Sequence, residues 1–306
     1  MDITLALGGG GVRGVAHIGV LRALEKHGFN IKAIAGTSAG GLAGAVYAAG
    51  YSTEQIEKTF NEMEKNFIIS PSRSKQPALL GMSWITKKIG KLLGDMTFED
   101  LKIPFAATAT NLRTGKEFVL RRGKVMDAVL ATIAIPGAFP GQDIEGHILA
   151  DGGVVDPVPI QVARWMAPDL PVVAVMLHEV PDNYEIDEKK LPISFPGPAS
   201  FLDRIGDLKV VQAFNIFTRS AEVSGDQITE LAIQLYKPEV VIAPKVGHIS
   251  ILQDVNSEEL IQAGIDATEQ SMAQIKSQGN WARRLRRQMR RRISPDPMPE
   301  TWEILA

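Results

Sequence analysis

The stretch that decides the fold reads ITLALGGGGVRG at residues 3–14 and, after a helical segment, IKAIAGTSAG at residues 31–40. Each part begins with a short apolar run and passes into a glycine-rich turn. Apolar residues then recur at helical spacing as far as Gly28, and after the second turn a run of small residues leads to Gly50. Strand, tight turn and helix therefore occur twice within the first part of the chain. This order predicts an α/β fold in which helices cover a parallel sheet.

The rest of the chain continues the alternation of strands and helices, with one exception. Residues 67–95 contain prolines, serines and several basic residues around an amphipathic piece, and we interpret them as a lid segment. No linker precedes the basic end, so we expect one domain over residues 1–280 and a separate tail over residues 281–306. The predicted strands are 104–110, 117–120, 147–150, 172–177 and 240–243, and the predicted helices are 53–66, 125–134, 205–235 (as one or two helices) and 257–275.

The composition is that of a globular protein, because 45% of the 306 residues are hydrophobic and 22% are charged. This balance excludes a chain that is mainly disordered. The sequence contains no cysteine, which excludes disulfide scaffolds, cysteine nucleophiles and thiolate metal sites. We expect no metal and no cofactor.

The charges are unevenly distributed along the chain. Seven of the 33 basic residues are arginines between Trp281 and Arg292, which leaves 26 basic against 35 acidic residues elsewhere. An acidic body argues against nucleic-acid binding. Apolar residues spaced by four lie among these arginines, and two interpretations stay open: a basic amphipathic helix on an anionic membrane, or a stripe that docks on its own domain. The stripe consists of Trp281, Leu285, Met289 and Ile293.

The first residues do not predict a secretory signal. Residues 1–7 lack a positively charged start, and their apolar run ends at the glycine cluster. We therefore expect a cytoplasmic protein and, if the tail binds lipid, one that contacts the inner membrane surface through residues 281–293.

The strongest local motif is Gly36-Thr37-Ser38-Ala39-Gly40, a Gly-x-Ser-x-Gly pattern between a predicted strand and a predicted helix. A serine on such a sharp turn is lifted out of the sheet, and the flanking glycines Gly36 and Gly40 allow the turn to form. The helix N-terminus adds free N–H groups. The pattern predicts that Ser38 is a nucleophile, and the alternative is a small-residue turn without chemistry.

A second motif precedes it, Gly9-Gly10-Gly11-Val12-Arg13-Gly14, with the spacing of a dinucleotide-binding loop. That function requires an acidic residue at the end of the next strand, where this chain has Ala35 to Ser38 instead. A phosphate-binding P-loop lacks its Gly-Lys-Ser/Thr sequence here. What remains is a loop whose backbone N–H groups point at negative charge, which in acyl transfer is an oxyanion hole.

A serine nucleophile needs a base, and the five histidines are poor candidates. None lies in a loop flanked by small residues, so a structural role suits each of them better, although His17 and His248 stay open. Asp151-Gly152-Gly153 lies at the end of a predicted strand, where α/β sheets place their sites. Asp151 is therefore the better candidate, and the alternative is an aspartate in a tight turn.

Taken together, these motifs resemble the patatin-like phospholipases in order and spacing. The set is completed by Ala134-Ile135-Pro136 with Phe139-Pro140 and by Asp156-Pro157-Val158-Pro159. The resemblance implies a three-layer α/β/α sandwich with a mainly parallel central sheet. It also implies a Ser–Asp dyad of Ser38 as nucleophile and Asp151 as base, with Gly36 and Gly40 forming the nucleophile elbow. The implied oxyanion hole consists of Gly9, Gly10, Gly11 and Arg13.

The function that the resemblance implies is a serine lipid acyl hydrolase, of the phospholipase A or lysophospholipase type. Its substrate would be a phospholipid or a lysophospholipid. Two alternatives share the fold: a regulatory or adaptor protein of weak activity, and an acyltransferase that uses the same dyad.

Overall fold

A single mixed sheet organises the part of the chain that the computed structural model describes. That part comprises residues 1–65, 82–177, 208–249, 256–283, 285, 287, 289 and 302–304. Nine strands occur within it. They are β1 (Asp2–Leu7), β2 (Asn30–Thr37), β3 (Phe105–Asn111), β4 (Glu117–Leu120), β5 (Gln142–Ile144), β6 (His147–Asp151), β7 (Val172–Val175), β8 (Val240–Ile242) and β9 (Trp302–Ile304).

Eight α-helices with defined bounds accompany the sheet in the same residues, and residues 281–283, 285, 287 and 289 are helical as well. The eight helices are α1 (Ala16–Lys26), α2 (Ala39–Ala48), α3 (Thr53–Lys65), α4 (Ser83–Leu93), α5 (Val125–Thr132), α6 (Ile160–Met166), α7 (Leu208–Tyr236) and α8 (Ser257–Ser277). Short 3-10 helices lie at Gly11–Val15, Phe98–Asp100 and Gly152–Val154. Within the described residues, no helix is both long and apolar enough to cross a lipid bilayer.

The centre of the sheet is parallel, as predicted. Strands β3, β2, β1, β7 and β8 lie side by side in that order and run in one direction. Strands β4 and β6 each pair with β3 in the antiparallel sense, β5 pairs with β6, and β9 runs parallel to β4. The antiparallel pairings of β4 and β6 are therefore both made with β3, which is outermost on one side of the five parallel strands.

Helices cover both faces of the sheet, because its strands bury side chains on both sides. Ile3, Leu5 and Leu7 of β1 belong to a large core with helices α1, α2, α5 and α8. Ala6 belongs to a smaller core on the other face, which includes α6 and Trp302. This confirms the three-layer α/β/α architecture.

The pairing of β3 explains how distant parts of the chain meet. Ala107 pairs with Gly36 of β2 and with Leu120 of β4, so β2 and β4 flank β3 on opposite sides. Ala109 pairs with β4 and also with Asp151 of β6, so β6 lies on the β2 side. Strands β2 and β6 therefore approach end to end along β3, and the residues at their carboxyl ends become neighbours.

The observed elements agree with the predicted ones to within a few residues, with three additions. Strand β5, helix α6 and strand β9 were not predicted. The residues of β9 were expected to belong to the tail. Both strands have only three residues, too few for an alternating pattern. A 3-10 turn precedes α1, so that helix begins at Ala16. Most of the predicted lid, together with His178 and Ile293, lies outside the described residues.

Candidate active site

Ser38 occupies a strained turn between β2 and α2. Its φ of 52° and ψ of −122° are unusual for a residue that is not glycine, and such strain collects at functional sites. A Cβ on Gly36 would lie 2.6 Å from the Gly40 carbonyl oxygen, and one on Gly40 would lie 2.6 Å from the carbonyl oxygen of Gly8. Glycine is therefore required on both sides of Ser38 because α2 starts directly against β1 and β2.

Asp151 meets Ser38 at the end of β6. The Ser38 Oγ donates a hydrogen bond to Asp151 Oδ2 at 2.5 Å. The Gly153 N–H donates to the other carboxylate oxygen at 2.8 Å, and the Asp151 N–H donates to the Ala134 carbonyl at 2.9 Å. Both side chains are almost enclosed, with Ser38 and Asp151 each 6% exposed. The structure thus brings together the two residues that the sequence analysis paired.

The enclosure of Asp151 changes its acidity. Burial raises the pKa of Asp151 to about 6, while the hydrogen bonds from Ser38 and Gly153 oppose the rise. A carboxylate with this pKa is a stronger base than an exposed aspartate, and it is still ionised at neutral pH. The arrangement can therefore accept a proton from the Ser38 hydroxyl.

The glycine loop lies directly beside Ser38, but its N–H groups differ in availability. A Cβ on Gly9 would lie 3.2 Å from the Ser38 Cβ, so the loop backbone touches the serine. The Gly8 N–H donates to the Val175 carbonyl at 3.0 Å, and the Gly9 N–H donates to the Pro157 carbonyl at 2.9 Å. The expectation that Gly9 supplies an oxyanion donor therefore does not fit this structure, because its N–H is already bonded. Gly10 and Gly11 remain the candidates.

Arg13 connects the glycine loop to distant parts of the chain. Its buried guanidinium donates from Nε to the Ile249 carbonyl at 2.5 Å and from Nη2 to the Gly247 carbonyl at 3.3 Å. Its Nη2 also lies 3.6 Å from a carboxylate oxygen of Glu222 on α7. These contacts tie the loop to α7 and to residues 247–249, and they differ from the expected role as an oxyanion donor.

The histidines that the structure describes are bonded elsewhere. His17 is fully buried and donates from Nε2 to the Gly8 carbonyl at 2.8 Å, and burial lowers its pKa to about 4. His27 contacts Glu269 at 2.9 Å, His147 contacts Asn111 at 3.1 Å, and His248 lies 3.6 Å from Glu259. The carboxylate of Asp151, and not an imidazole, therefore accepts the hydrogen bond from the Ser38 hydroxyl.

Three threonines of the site, Thr108, Thr110 and Thr132, were not predicted from the sequence, and they act together with Thr37 of the serine motif. Thr132 Oγ1 accepts a hydrogen bond from the Ser38 N–H at 2.8 Å. Thr37 and Thr108 share a hydrogen bond of 2.7 Å between their hydroxyls, and Thr110 Oγ1 donates to the Asp151 carbonyl at 2.9 Å. Thr132 lies two residues before the Ala134-Ile135-Pro136 motif, which was a signal for it. The others lie in an apolar strand pattern that gives no such signal.

The electrostatic setting favours an anion beside Ser38. Helix α2 begins at Ala39, so its first N–H groups have no partner inside the helix and its dipole is positive there. In the described ranges, no group of three or more histidine, aspartate or glutamate side chains could hold a metal ion. What the site presents to a substrate is a hydroxyl, a carboxylate and main-chain N–H groups.

Comparison with known proteins identifies the family of the chain. The family model for the patatin-like phospholipases matches residues 5–164. An uncharacterized NTE family protein of Mycobacterium tuberculosis is 38% identical over 178 residues, which are 58% of this chain and 49% of that protein. The human patatin-like phospholipase domain-containing protein 6 is 32% identical over 171 residues, which are 54% of this chain and 12% of that protein. The matched part of the chain thus spans about half the length of the mycobacterial relative and a smaller share of the human one.

Two further comparisons extend these. Lysophospholipase NTE1 of Eremothecium gossypii is 31% identical over 168 residues, which are 52% of this chain and 11% of that protein. The crystal structure of VipD from Legionella pneumophila has a TM-score of 0.51 at 14% identity, with 90% of this chain and 67% of that chain covered, which supports the shared fold alone. Because the family model matches slightly more than half of the 306 residues and contains both Ser38 and Asp151, the chain belongs to the patatin-like phospholipase family.

Proposed function

We propose that this protein is a serine lipid acyl hydrolase that uses Ser38 as nucleophile and Asp151 as base. The observation that carries the proposal is the 2.5 Å hydrogen bond from Ser38 Oγ to Asp151 Oδ2, next to the glycine loop. A strained serine, a carboxylate of raised pKa and nearby main-chain N–H groups are the parts that acyl transfer requires.

The reaction begins when Ser38 Oγ attacks the ester carbonyl and Asp151 takes the hydroxyl proton. The N–H groups of Gly10 and Gly11 hold the negative oxygen of the tetrahedral intermediate. The C–O bond to the alcohol then breaks, and protonated Asp151 gives its proton to that leaving oxygen. Water repeats the sequence on the acyl-serine, which frees the fatty acid and restores Ser38 and Asp151.

A phospholipid or lysophospholipid is the proposed substrate. The family name and the lysophospholipase among the relatives support this class. Both lipids carry an acyl ester, which is the group that the dyad can cleave. The same geometry supports a carboxylic ester hydrolase activity.

We propose the following organisation around this site. Residues 1–280 form the hydrolase domain, with residues 67–95 as a lid that contains α4, and residues 281–306 form a basic tail whose strand β9 joins the sheet of that domain. Trp281, Leu285 and Met289 are 75%, 47% and 53% exposed, so the apolar stripe of the tail faces away from its own domain at these positions. This exposure supports a peripheral contact of a cytoplasmic protein with an anionic inner membrane surface.

Hydrolysis assays on a panel of phospholipids, lysophospholipids and short p-nitrophenyl esters test the proposal. We expect fatty acid release by the wild-type protein and a loss of about a thousandfold or more in Ser38→Ala and in Asp151→Asn, because each removes one partner of the dyad. Ser220→Ala and Asp127→Asn change an exposed serine and an exposed aspartate, and they serve as matched controls. Substantial turnover in either dyad variant would contradict the proposal.

A further inference from the structure

A second pair of buried carboxyl groups lies close to the dyad and takes no part in the proposed reaction. Glu117 starts β4, and Asp156 follows the 3-10 helix that begins after Asp151. Their side chains are hydrogen-bonded to each other. Glu117 Oε1 is fully enclosed and has no hydrogen-bond partner among the described residues. Two ionised carboxylates cannot share a hydrogen bond, so the pair holds a proton.

The two carboxyl groups share this proton. Burial raises the pKa of Glu117 to about 7, and burial together with the charge of Glu117 raises the pKa of Asp156 well above its ordinary value. The protonated carboxyl donates to the ionised one. The backbone N–H of Val158 also donates to the Asp156 carboxyl.

The C-terminal strand β9 also contacts this carboxyl pair, through Trp302 and Glu117. Trp302 pairs with Glu117 in the parallel ladder between β4 and β9. The indole N–H, the only polar group of its side chain, donates to the Glu117 carboxylate. Trp302 is 6% exposed and packs edge-on against Trp165 at 5.8 Å between ring centroids. On the same strand, Glu303 accepts a hydrogen bond from Asn111 Nδ2 at 2.6 Å.

The backbone of Asp156 continues this chain of contacts to both dyad residues. Its carbonyl accepts a hydrogen bond from Thr37 Oγ1 at 2.9 Å, and Thr37 directly precedes Ser38. Its N–H donates to the Gly152 carbonyl at 2.9 Å, and Gly152 directly follows Asp151. Displacing Asp156 would therefore disturb the two strand ends that hold the dyad together.

We propose that Trp302, Glu117 and Asp156 are positioning residues for the dyad, through which the docked C-terminal strand holds Ser38 and Asp151 in reacting geometry. The Trp302 indole contacts the Glu117 carboxyl, which in turn contacts the Asp156 carboxyl. The backbone of Asp156 then contacts Thr37 and Gly152. The consequence for catalysis rests on the proposed hydrolase function, whereas the mechanical link does not.

Amide hydrogen exchange tests the link without any activity. In Glu117→Ala and in Trp302→Phe, which keeps an aromatic ring but loses the indole N–H, we expect exchange at residues 36–40 and 150–156 to rise by about tenfold. Glu117→Gln can still donate to and accept from its partners, so it should exchange close to the wild-type rate. Val172→Ala on β7 lowers stability in the same core without touching the pair, and it controls for general loosening.

Hydrolysis supplies the second measurement. We expect kcat to fall about tenfold in Glu117→Ala with KM nearly constant, and to recover in Glu117→Gln, because misplaced reacting groups lose rate more than binding. Wild-type exchange at residues 36–40 in Glu117→Ala, or an equal rise in Val172→Ala, would overturn the inference. A wild-type protein without esterase activity would instead overturn the proposed function, and the exchange comparison would still decide the link.

Discussion

At the scale of single residues, the Asp151 carboxyl determines how the proposed reaction depends on pH. Asp151 must be ionised to accept the Ser38 proton, and burial raises its pKa to about 6. We therefore predict that kcat/KM for a neutral ester rises about tenfold per pH unit below that value and levels off above it. A rate profile between pH 4 and 8 measures this. A profile that is flat through pH 6, or one that falls as the pH rises, would contradict the role of Asp151 as base.

His17 gives a second prediction at this scale. Its Nε2–H holds the Gly8 carbonyl at 2.8 Å, which fixes the start of the glycine loop. In His17→Leu the carbonyl loses its donor, so we expect kcat to fall about tenfold or more through a displaced loop. His17→Gln can still donate and should keep most of the activity. Similar losses in both variants, at equal thermal stability, would show that the hydrogen bond does not position the loop.

The motifs identified Ser38 and Asp151 correctly as neighbours, because each lies at the end of a strand in a recognisable glycine-rich context. They did not show which N–H groups of the glycine loop are free. The bond from Gly9 to Pro157 joins residues 148 positions apart, and the Arg13 guanidinium reaches carbonyls more than 230 positions away. Such long-range partners depend on how the strands are ordered in the sheet, which local patterns do not encode.

At the scale of elements, the packing of α1 on α8 depends on two glycines. A Cβ on Gly264 would collide with the Ala16 carbonyl, and one on Gly19 would collide with the Ile261 carbonyl, so the helix backbones touch. We predict that Gly264→Ala lowers the free energy of unfolding by roughly 1–3 kcal/mol, as overpacking does. Chemical denaturation measures the change.

Gly90 in α4 provides the matched control for that prediction. A Cβ added there meets nothing within 4 Å. Gly90→Ala should therefore raise stability by up to about 1 kcal/mol, because alanine is the better helix former. Gly264→Ala with unchanged stability would contradict the close contact between α1 and α8.

The elements with strong periodicity were predicted well from the sequence. The central strands, α1 and the long helices appear near their expected positions because each buries a regular apolar pattern, whereas α2 was predicted from its run of small residues after the serine motif. Strand β9 was not predicted for a physical reason. Its three residues form a strand through pairing with the edge of β4 and through the hydrogen bond from Trp302 to the Glu117 carboxylate. A short edge strand is stabilised by tertiary contacts, not by its own sequence.

At the scale of the whole molecule, the family resemblance implied the three-layer order, but neither it nor the sequence pattern gave the strand arrangement. Repeated strand, turn and helix units by themselves indicate a parallel sheet covered by helices. The end-to-end meeting of β2 and β6 along β3 is a property of the complete sheet, since it depends on which side of β3 each strand occupies. That meeting is what places Asp151 beside Ser38.

The tail gives a prediction that also concerns the whole molecule. Its exposed stripe and its arginines should bind vesicles of anionic lipid. This binding should weaken as salt is added, and neutral vesicles should not be bound. Each basic residue near such a surface contributes about 1 kcal/mol, so Arg283→Gln should weaken binding about fivefold. Lys32→Gln removes an exposed charge from β2 and should have a smaller effect. Equal binding of neutral and anionic vesicles would contradict this role of the tail.

Labelling by a serine-directed fluorophosphonate, followed by mass mapping of the modified peptide, tests the central claim most directly. We predict one adduct, on Ser38, formed quickly by the wild-type protein and at least about a hundredfold more slowly by Asp151→Asn, which keeps the size of the side chain but loses its basicity. A stable fold in which Ser38 stays unmodified, or an Asp151→Asn protein that reacts as fast as the wild type, would contradict the account.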